Sequence, residues 1–103
     1  MYMMVMTTFS TREEGEKIAE ILLKKKLAAC IQLKEIESLY TWDGKMEKST
    51  EVQGIIKTKE KLYEEVEKVI NLNHSYDLPQ VVGVKIDRGS KGYLEWISEE
   101  TIS

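Results

Sequence analysis

The chain holds one cysteine, one histidine and one proline in 103 residues. Cys30 alone cannot close an internal disulfide, so a reducing cytoplasm is the expected compartment. His74 alone excludes a metal site built on several imidazoles, and no Ser-His-Asp set is present. Arginine is confined to Arg12 and Arg88, too few to clamp a nucleotide for phosphoryl transfer. There is no glycine-rich phosphate loop and no acidic pair in a motif setting. No basic excess exists either: the formal net charge is −3, which argues against a nucleic-acid partner. The apolar run at the N-terminus, Tyr2–Met6, is too short to span a bilayer and lacks the basic flank and small-residue cleavage site of a signal peptide. These absences predict a non-enzymatic protein with no organic cofactor, no nucleic acid and no membrane.

What the chain does have is a long β-rich block, Ala28–Thr58, with Asp43-Gly44 near its middle. An Asp-Gly pair between β-branched and aromatic runs signals a two-residue hairpin turn, because both central residues of a type I′ turn need positive φ. The arms are overlong. Fully extended, Ala28–Trp42 would reach roughly 50 Å, whereas strands usually run ~3–10 residues. A domain this small cannot cover such a ribbon, so its far end is expected to need another chain.

The remaining elements follow from periodicity. Tyr2–Thr8 reads as a buried strand. Ser10 or Thr11 fits an N-cap, each with a glutamate three residues on, and the helix is expected to run to about Lys26. Its stripe is Gly15, Ile18, Ala19 and Leu22. Ile31 and Leu33 share one alternation that Ile36, Leu39 and Tyr40 are not expected to continue, which predicts a bulge near Lys34–Glu35. Lys48–Thr58 returns with Val52, Gly54 and Ile56 on one face. Thr58 is the expected cap of a second helix, Lys59–Leu72, with its stripe at Leu62, Val66, Val69 and Ile70. Gln80–Ile86 forms the fourth strand, with Pro79 just ahead of it, and a short helix spans about Gly92–Glu100.

The order β-α-β-β-α-β-α predicts a single α+β domain, 1–103. It is a ferredoxin-like sandwich with a four-stranded antiparallel sheet, two helices on one face, a long β2–β3 hairpin and a C-terminal helix. Right-handed crossovers give the strand order 4-1-3-2. Thr7, Thr8, the first helix's N-terminus, His74–Asp77 and the tip Tyr40–Gly44 then fall at one end, where function is expected. RNA-recognition modules share this order but display stacking aromatics on central strands; Val52–Ile56 has none.

Several motifs carry a family resemblance: Leu27-Ala28-Ala29-Cys30, Tyr40-x-Trp42-x-Gly44-Lys45, Glu51-Val52, Ile56-Lys57-Thr58, His74-x-Tyr76-Asp77-x-Pro79 and Gly89-x-x-x-Tyr93-Leu94-x-Trp96-Ile97. In this order and spacing the chain resembles the CutA family of divalent-cation tolerance proteins over nearly its whole length. The resemblance implies a homotrimer built by pairing long strands between subunits, and a role in tolerance to metals such as copper. It also implies a second possibility, a module like the PII nitrogen-signalling proteins that binds a small ligand or protein at inter-subunit clefts. Where some relatives have cysteine and a second histidine, this chain has Thr7 and Asn73, and Ser75 stands where the family often has proline.

The expected metal ligands are His74 and Asp77, copper or a similar divalent cation being the expected ion, with Cys30 as the fallback. A buried free cysteine behaves as a small hydrophobe, the more common reading for Cys30. Met1, Met3, Met4 and Met6 alternate across a strand and are expected to pack rather than ligate. Tyr40, Trp42, Lys45, Glu51, Lys57, Tyr76 and Trp96 are the expected interface or inter-subunit cleft residues, aromatics at a projecting hairpin being costly to leave wet. The run Asn71-x-x-His74-Ser75-x-Asp77 superficially echoes nucleoside diphosphate kinases, but the basic residues such an enzyme needs are missing.

Overall fold

Residues with β-branched and aromatic side chains form the strands, and the two stretches of helical period fold over one side of them. The computed structural model describes all residues, Met1–Ser103, in the order β1 (Tyr2–Phe9), α1 (Arg12–Lys24), β2 (Cys30–Trp42), β3 (Lys45–Lys59), α2 (Tyr63–Asn73), β4 (Val81–Ile86) and α3 (Lys91–Glu99). The sheet is four-stranded and antiparallel in the order β2-β3-β1-β4, the predicted ferredoxin-like topology.

The ends of α1 show the local logic. Thr11, in extended conformation, accepts a hydrogen bond on its hydroxyl from Glu14 N at 3.1 Å, so Thr11 is the cap. The helix stops at Lys24, two residues earlier than predicted. Lys26 takes a left-handed conformation (φ 55°) and Leu27 N donates back to Leu22 O at 2.9 Å. This is a Schellman closure with lysine where glycine is usual. The start of α2 also differs from expectation. β3 continues to Lys59, a single 3₁₀ turn (Glu60–Leu62) follows, and Thr58 does not cap the helix. Its buried hydroxyl donates to Leu27 O at 2.6 Å, tying β3 to the α1–β2 connection.

The β2–β3 ladder runs without interruption from Cys30↔Lys57 to Trp42↔Lys45, so the predicted bulge near Lys34–Glu35 does not exist. What changes there is the covering. Ile31 and Leu33 pack against the core beneath the helices. Ile36 and Tyr40 have the other parity and face the sheet's opposite side, whereas Leu39 keeps the parity of Leu33, contrary to expectation, and is exposed because it lies beyond the helices' cover. The turn is as predicted: Asp43 and Gly44 both have positive φ (55° and 78°). β1 pairs with β3 only as far as Phe9↔Val52, so the ribbon beyond Ile36↔Glu51 overhangs the sheet, in a molecule 44 Å long and 26 Å by 21 Å across. Leu39, Tyr40, Trp42 and Met46 stand exposed on it.

The core lies between the sheet and α1 and α2, with Val5, Ile18, Leu22, Ile56, Val66 and Ile70 fully buried. The opposite face carries Met4, Met6, Ile55, Val82 and Val84. There α3 covers one end, where Lys57 Nζ lies 5.7 Å from the Tyr93 ring centre.

Phe9, buried at the end of β1, sits where two glycines leave room. A β-carbon on Gly54 would stand 2.9 Å from its Cε2, and one on Gly15 would stand 2.9 Å from its Cδ2. Glycine inside a helix or strand is costly, so these two positions are kept small by the ring. Gly54→Ala is therefore expected to lose about 1–3 kcal/mol by overpacking, measured by urea unfolding. Because one ring cannot retreat from both sides, the Gly15→Ala/Gly54→Ala double variant should lose more than the sum of the singles; simple additivity would show that the ring relaxes freely.

Candidate functional site

His74 follows α2 in extended conformation, and its ring stacks on Phe9 with centroids 5.5 Å apart and planes 17° apart. Its side chain is fully buried. Nε2 lies 2.7 Å from Thr8 O, and because a carbonyl only accepts, Nε2 carries the proton. Nδ1 then accepts from Tyr76 N at 3.1 Å. Glu14 stands behind, 3.8 Å from Nδ1, and its other oxygen accepts from Ser75 N at 2.9 Å. Histidine thus fastens the loop 74–78 to the end of β1, and both of its nitrogens are spent in doing so.

The fastened loop brings Tyr76 over β3. Its ring lies 4.7 Å from His74, and its hydroxyl donates to Glu51 Oε2 at 2.8 Å. Glu51 is only 8 % exposed, yet none of the chain's ion pairs includes it. Burial first, then the hydrogen bond and negative charge of Glu51, push the Tyr76 phenol well above the ordinary tyrosine range. It stays a protonated donor. Around this pair opens a cleft of about 490 Å³, lined chiefly by Thr8, Tyr40, Trp42, Glu51, Tyr76 and Asp77. The overhanging ribbon supplies one wall and the loop the other.

Of the residues singled out in the sequence, the structure therefore gathers Tyr40, Trp42, Glu51, Tyr76 and Asp77. It does not bring the others to them. His74 is behind the cleft as its anchor. Lys45 is the cross-strand partner of Trp42, on the same face of the ribbon, but it is exposed and outside the lining of the cleft. Lys57 pairs with Cys30, bonds Gln32 Oε1 at 3.0 Å, and is separated from Glu51 by roughly 20 Å of strand. Trp96 packs against Tyr93 on α3, centroids 5.6 Å apart. Cys30 is half-buried at the opposite end of the sheet from His74. No three of the His, Cys, Asp and Glu side chains come together as a metal constellation. The residues that sequence reasoning missed are Phe9 and Glu14, while Thr8 was expected at this end. The available signal was the pair Gly15 and Gly54, each costly where it stands and therefore marking a close approach.

Comparison with known proteins follows the same lines. Residues 3–100 match the family model described as CutA1 divalent ion tolerance protein. The divalent-cation tolerance protein CutA of Pyrococcus horikoshii is 42% identical over 97 residues, covering 94% of this chain and 95% of that protein. A chloroplastic CutA protein of Arabidopsis thaliana is 42% identical over 98 residues, 94% of this chain and 54% of that protein. Among solved structures, the periplasmic divalent cation tolerance protein CutA from Archaeoglobus fulgidus superposes with a TM-score of 0.95 at 40% identity, covering 97% of this chain and 98% of that one.

The Tyr76–Glu51 bond predicts a pH dependence. An unfolded chain releases a tyrosine proton near pH ~10, while the folded chain holds the Tyr76 proton to higher pH, so stability falls as pH rises above that point. Tyr63, also raised by burial and its bond to Glu67, adds to the slope. Tyr76→Phe should cost about 1–3 kcal/mol at neutral pH and make the alkaline decline in urea midpoint shallower. A variant with the wild-type slope would place the titration elsewhere.

Proposed function

The chain belongs to the CutA1 divalent ion tolerance family, and we propose that it acts in metal-ion tolerance as a non-enzymatic homotrimer. The observation that carries this reading is the overhanging ribbon. Leu39, Tyr40, Trp42 and Met46 lie beyond the end of β1, with relative exposures from 43 to 80%. Val82 and Val84 stand 47% and 41% exposed on the face opposite the helices, and β2 and β4 are open edges. A ribbon and a receiving face on one chain make a heterologous contact, which closes into a ring when the rotation between copies allows. The ribbon of one copy then covers the face of the next.

The metal part of the proposal is weak Cu²⁺ binding by His74 and Asp77. As folded, these residues do not fit a tight site. The imidazole has no free lone pair, Asp77 is exposed, and no third ligand stands with them. Cys30 and the methionines do not replace them: Met3 faces the core, while Met4 and Met6 face the other side. Metal has to compete with the bonds that hold the loop. We place the protein in the cytoplasm on its lone free cysteine; no helix is long and apolar enough to cross a membrane.

A second reading, a PII-like module that binds a small ligand where subunits meet, is favoured by one specific observation: the aromatic cleft around Glu51 lies at the base of the ribbon that the next copy would cover.

Light scattering should give three times the chain mass at micromolar concentration. Trp42→Ala should shift that mass downward, since a buried indole in an interface core contributes ~2 kcal/mol or more. A well-folded wild-type monomer would overturn the assembly. Calorimetry with Cu²⁺ at about pH 7.5 should give a Kd of ~0.1–1 mM, weaker again at about pH 5.5 because the ligands must be deprotonated, and lost in His74→Ala. A tight site untouched by that substitution would remove His74 from the reading.

A further inference from the structure

We propose that the cleft at the base of the hairpin is a binding site for an alkylammonium group, with Glu51 as the counter-charge and Tyr40, Trp42 and Tyr76 as its walls. The inference deepens the small-ligand reading of this cleft and rests on it.

Charge is the first argument. Glu51 is more than nine-tenths buried, and its only bond within the chain is the one Tyr76 donates to Oε2. Oε1 takes none and stays open to the cleft, the chain's sealed and unpartnered side-chain oxygens being Thr7 Oγ1 and Glu14 Oε1, and no lysine or arginine lies within ion-pair distance. A mostly buried carboxylate whose open oxygen has no cation gains from positive charge brought into the cleft. Asp77 adds a second carboxylate to the lining, and no basic residue is among the lining residues. Phosphates and carboxylates are repelled.

The kind of cation follows from the walls. A hard divalent metal needs about six oxygen ligands, and a soft or borderline one needs nitrogen or sulfur. The cleft offers two carboxylates, one already bonded to a phenol, and no free imidazole or thiol. What it does offer is three aromatic rings beside a carboxylate. Aromatic faces attract organic cations, more so when water is excluded, and Leu39 and Leu78 in the lining suit an alkyl stem. An ammonium group has three donors for Oε1 of Glu51 and nearby oxygens.

The ammonium has two possible sources, a free small amine or a lysine side chain of a second copy. The full-length protein, at its own oligomeric state, is used in a Trp96→Phe background so that Trp42 is the single indole. It is titrated with n-butylammonium chloride, with n-butanol as the neutral control, and followed by fluorescence and calorimetry. Light scattering is run on the same samples. Saturable binding of butylammonium, at least tenfold tighter than butanol and at least tenfold weakened by Glu51→Gln, assigns a free amine. No amine binding, together with dissociation of the assembly by Glu51→Gln and by acetylation of lysine, which removes the ammonium charge, assigns a second copy's lysine. Tyr40→Leu removes one wall and keeps the carboxylate, and should weaken whichever contact is found, guarding against a Glu51→Gln variant that does not fold. Equal response to butylammonium and butanol, with an assembly indifferent to Glu51→Gln, overturns the proposal. Amine binding by a protein that light scattering shows to be monomeric upholds the site and overturns only the trimer.

Discussion

One buried ring organises the functional end of this molecule. Phe9 closes β1, fills the space left by Gly15 on α1 and Gly54 on β3, and offers its face to His74. The imidazole is held there by Thr8 O on one side and by Tyr76 N on the other. Through that clamp the loop after α2 takes a fixed position, Tyr76 reaches Glu51, and the cleft acquires its inner wall. Enlarging either glycine pushes first on the ring, next on the imidazole and only then on the tyrosine. The cleft's geometry is thus set by core packing several residues away from anything a ligand would touch.

The two faces of the sheet make different demands on the sequence. One is finished within the chain, where α1 and α2 seal Val5, Ile56 and their neighbours. The other keeps Val82 and Val84 exposed, and the ribbon past Phe9↔Val52 has no third strand beside it. At ~25 cal/mol per Å² of apolar surface, leaving both the ribbon and the face in water forgoes stabilisation that the proposed burial between copies would supply. Glu51 lies at the junction of the two regions, the first β3 residue beyond the end of β1, where it is buried with the Tyr76 hydroxyl as its partner and no cation beside it.

Most of the backbone was legible before the structure. Asp43-Gly44 states its turn through the need for positive φ, and the alternation of helical and strand period leaves few topologies. The errors were of one kind, local cues with a tertiary cause. The loss of alternation after Leu33 looked like a bulge because a single sequence does not say which side of a strand is covered; the register is unbroken and the covering changes. Thr58 looked like a cap and is a buried clasp to Leu27. The cleft was partly legible, since aromatics at a projecting hairpin and a Tyr-Asp pair after a helix invite attention. The role of His74 was not, because whether an imidazole is a ligand or a clamp depends on what its two nitrogens face.

That dependence bears on what metal tolerance asks of this fold. A histidine whose Nε2–H is bound to a carbonyl and whose Nδ1 holds a backbone N–H can take a metal only by surrendering one of those bonds, and the released loop carries Tyr76 with it. Metal at His74 and an ordered cleft around Glu51 are then mutually unfavourable, coupled through the same residue. By linkage the antagonism would run both ways: under the proposed metal reading, whatever stabilises the Tyr76–Glu51 pair would weaken metal at His74. The imidazole clamp that would have to open for a metal is the same one that holds Tyr76 over Glu51.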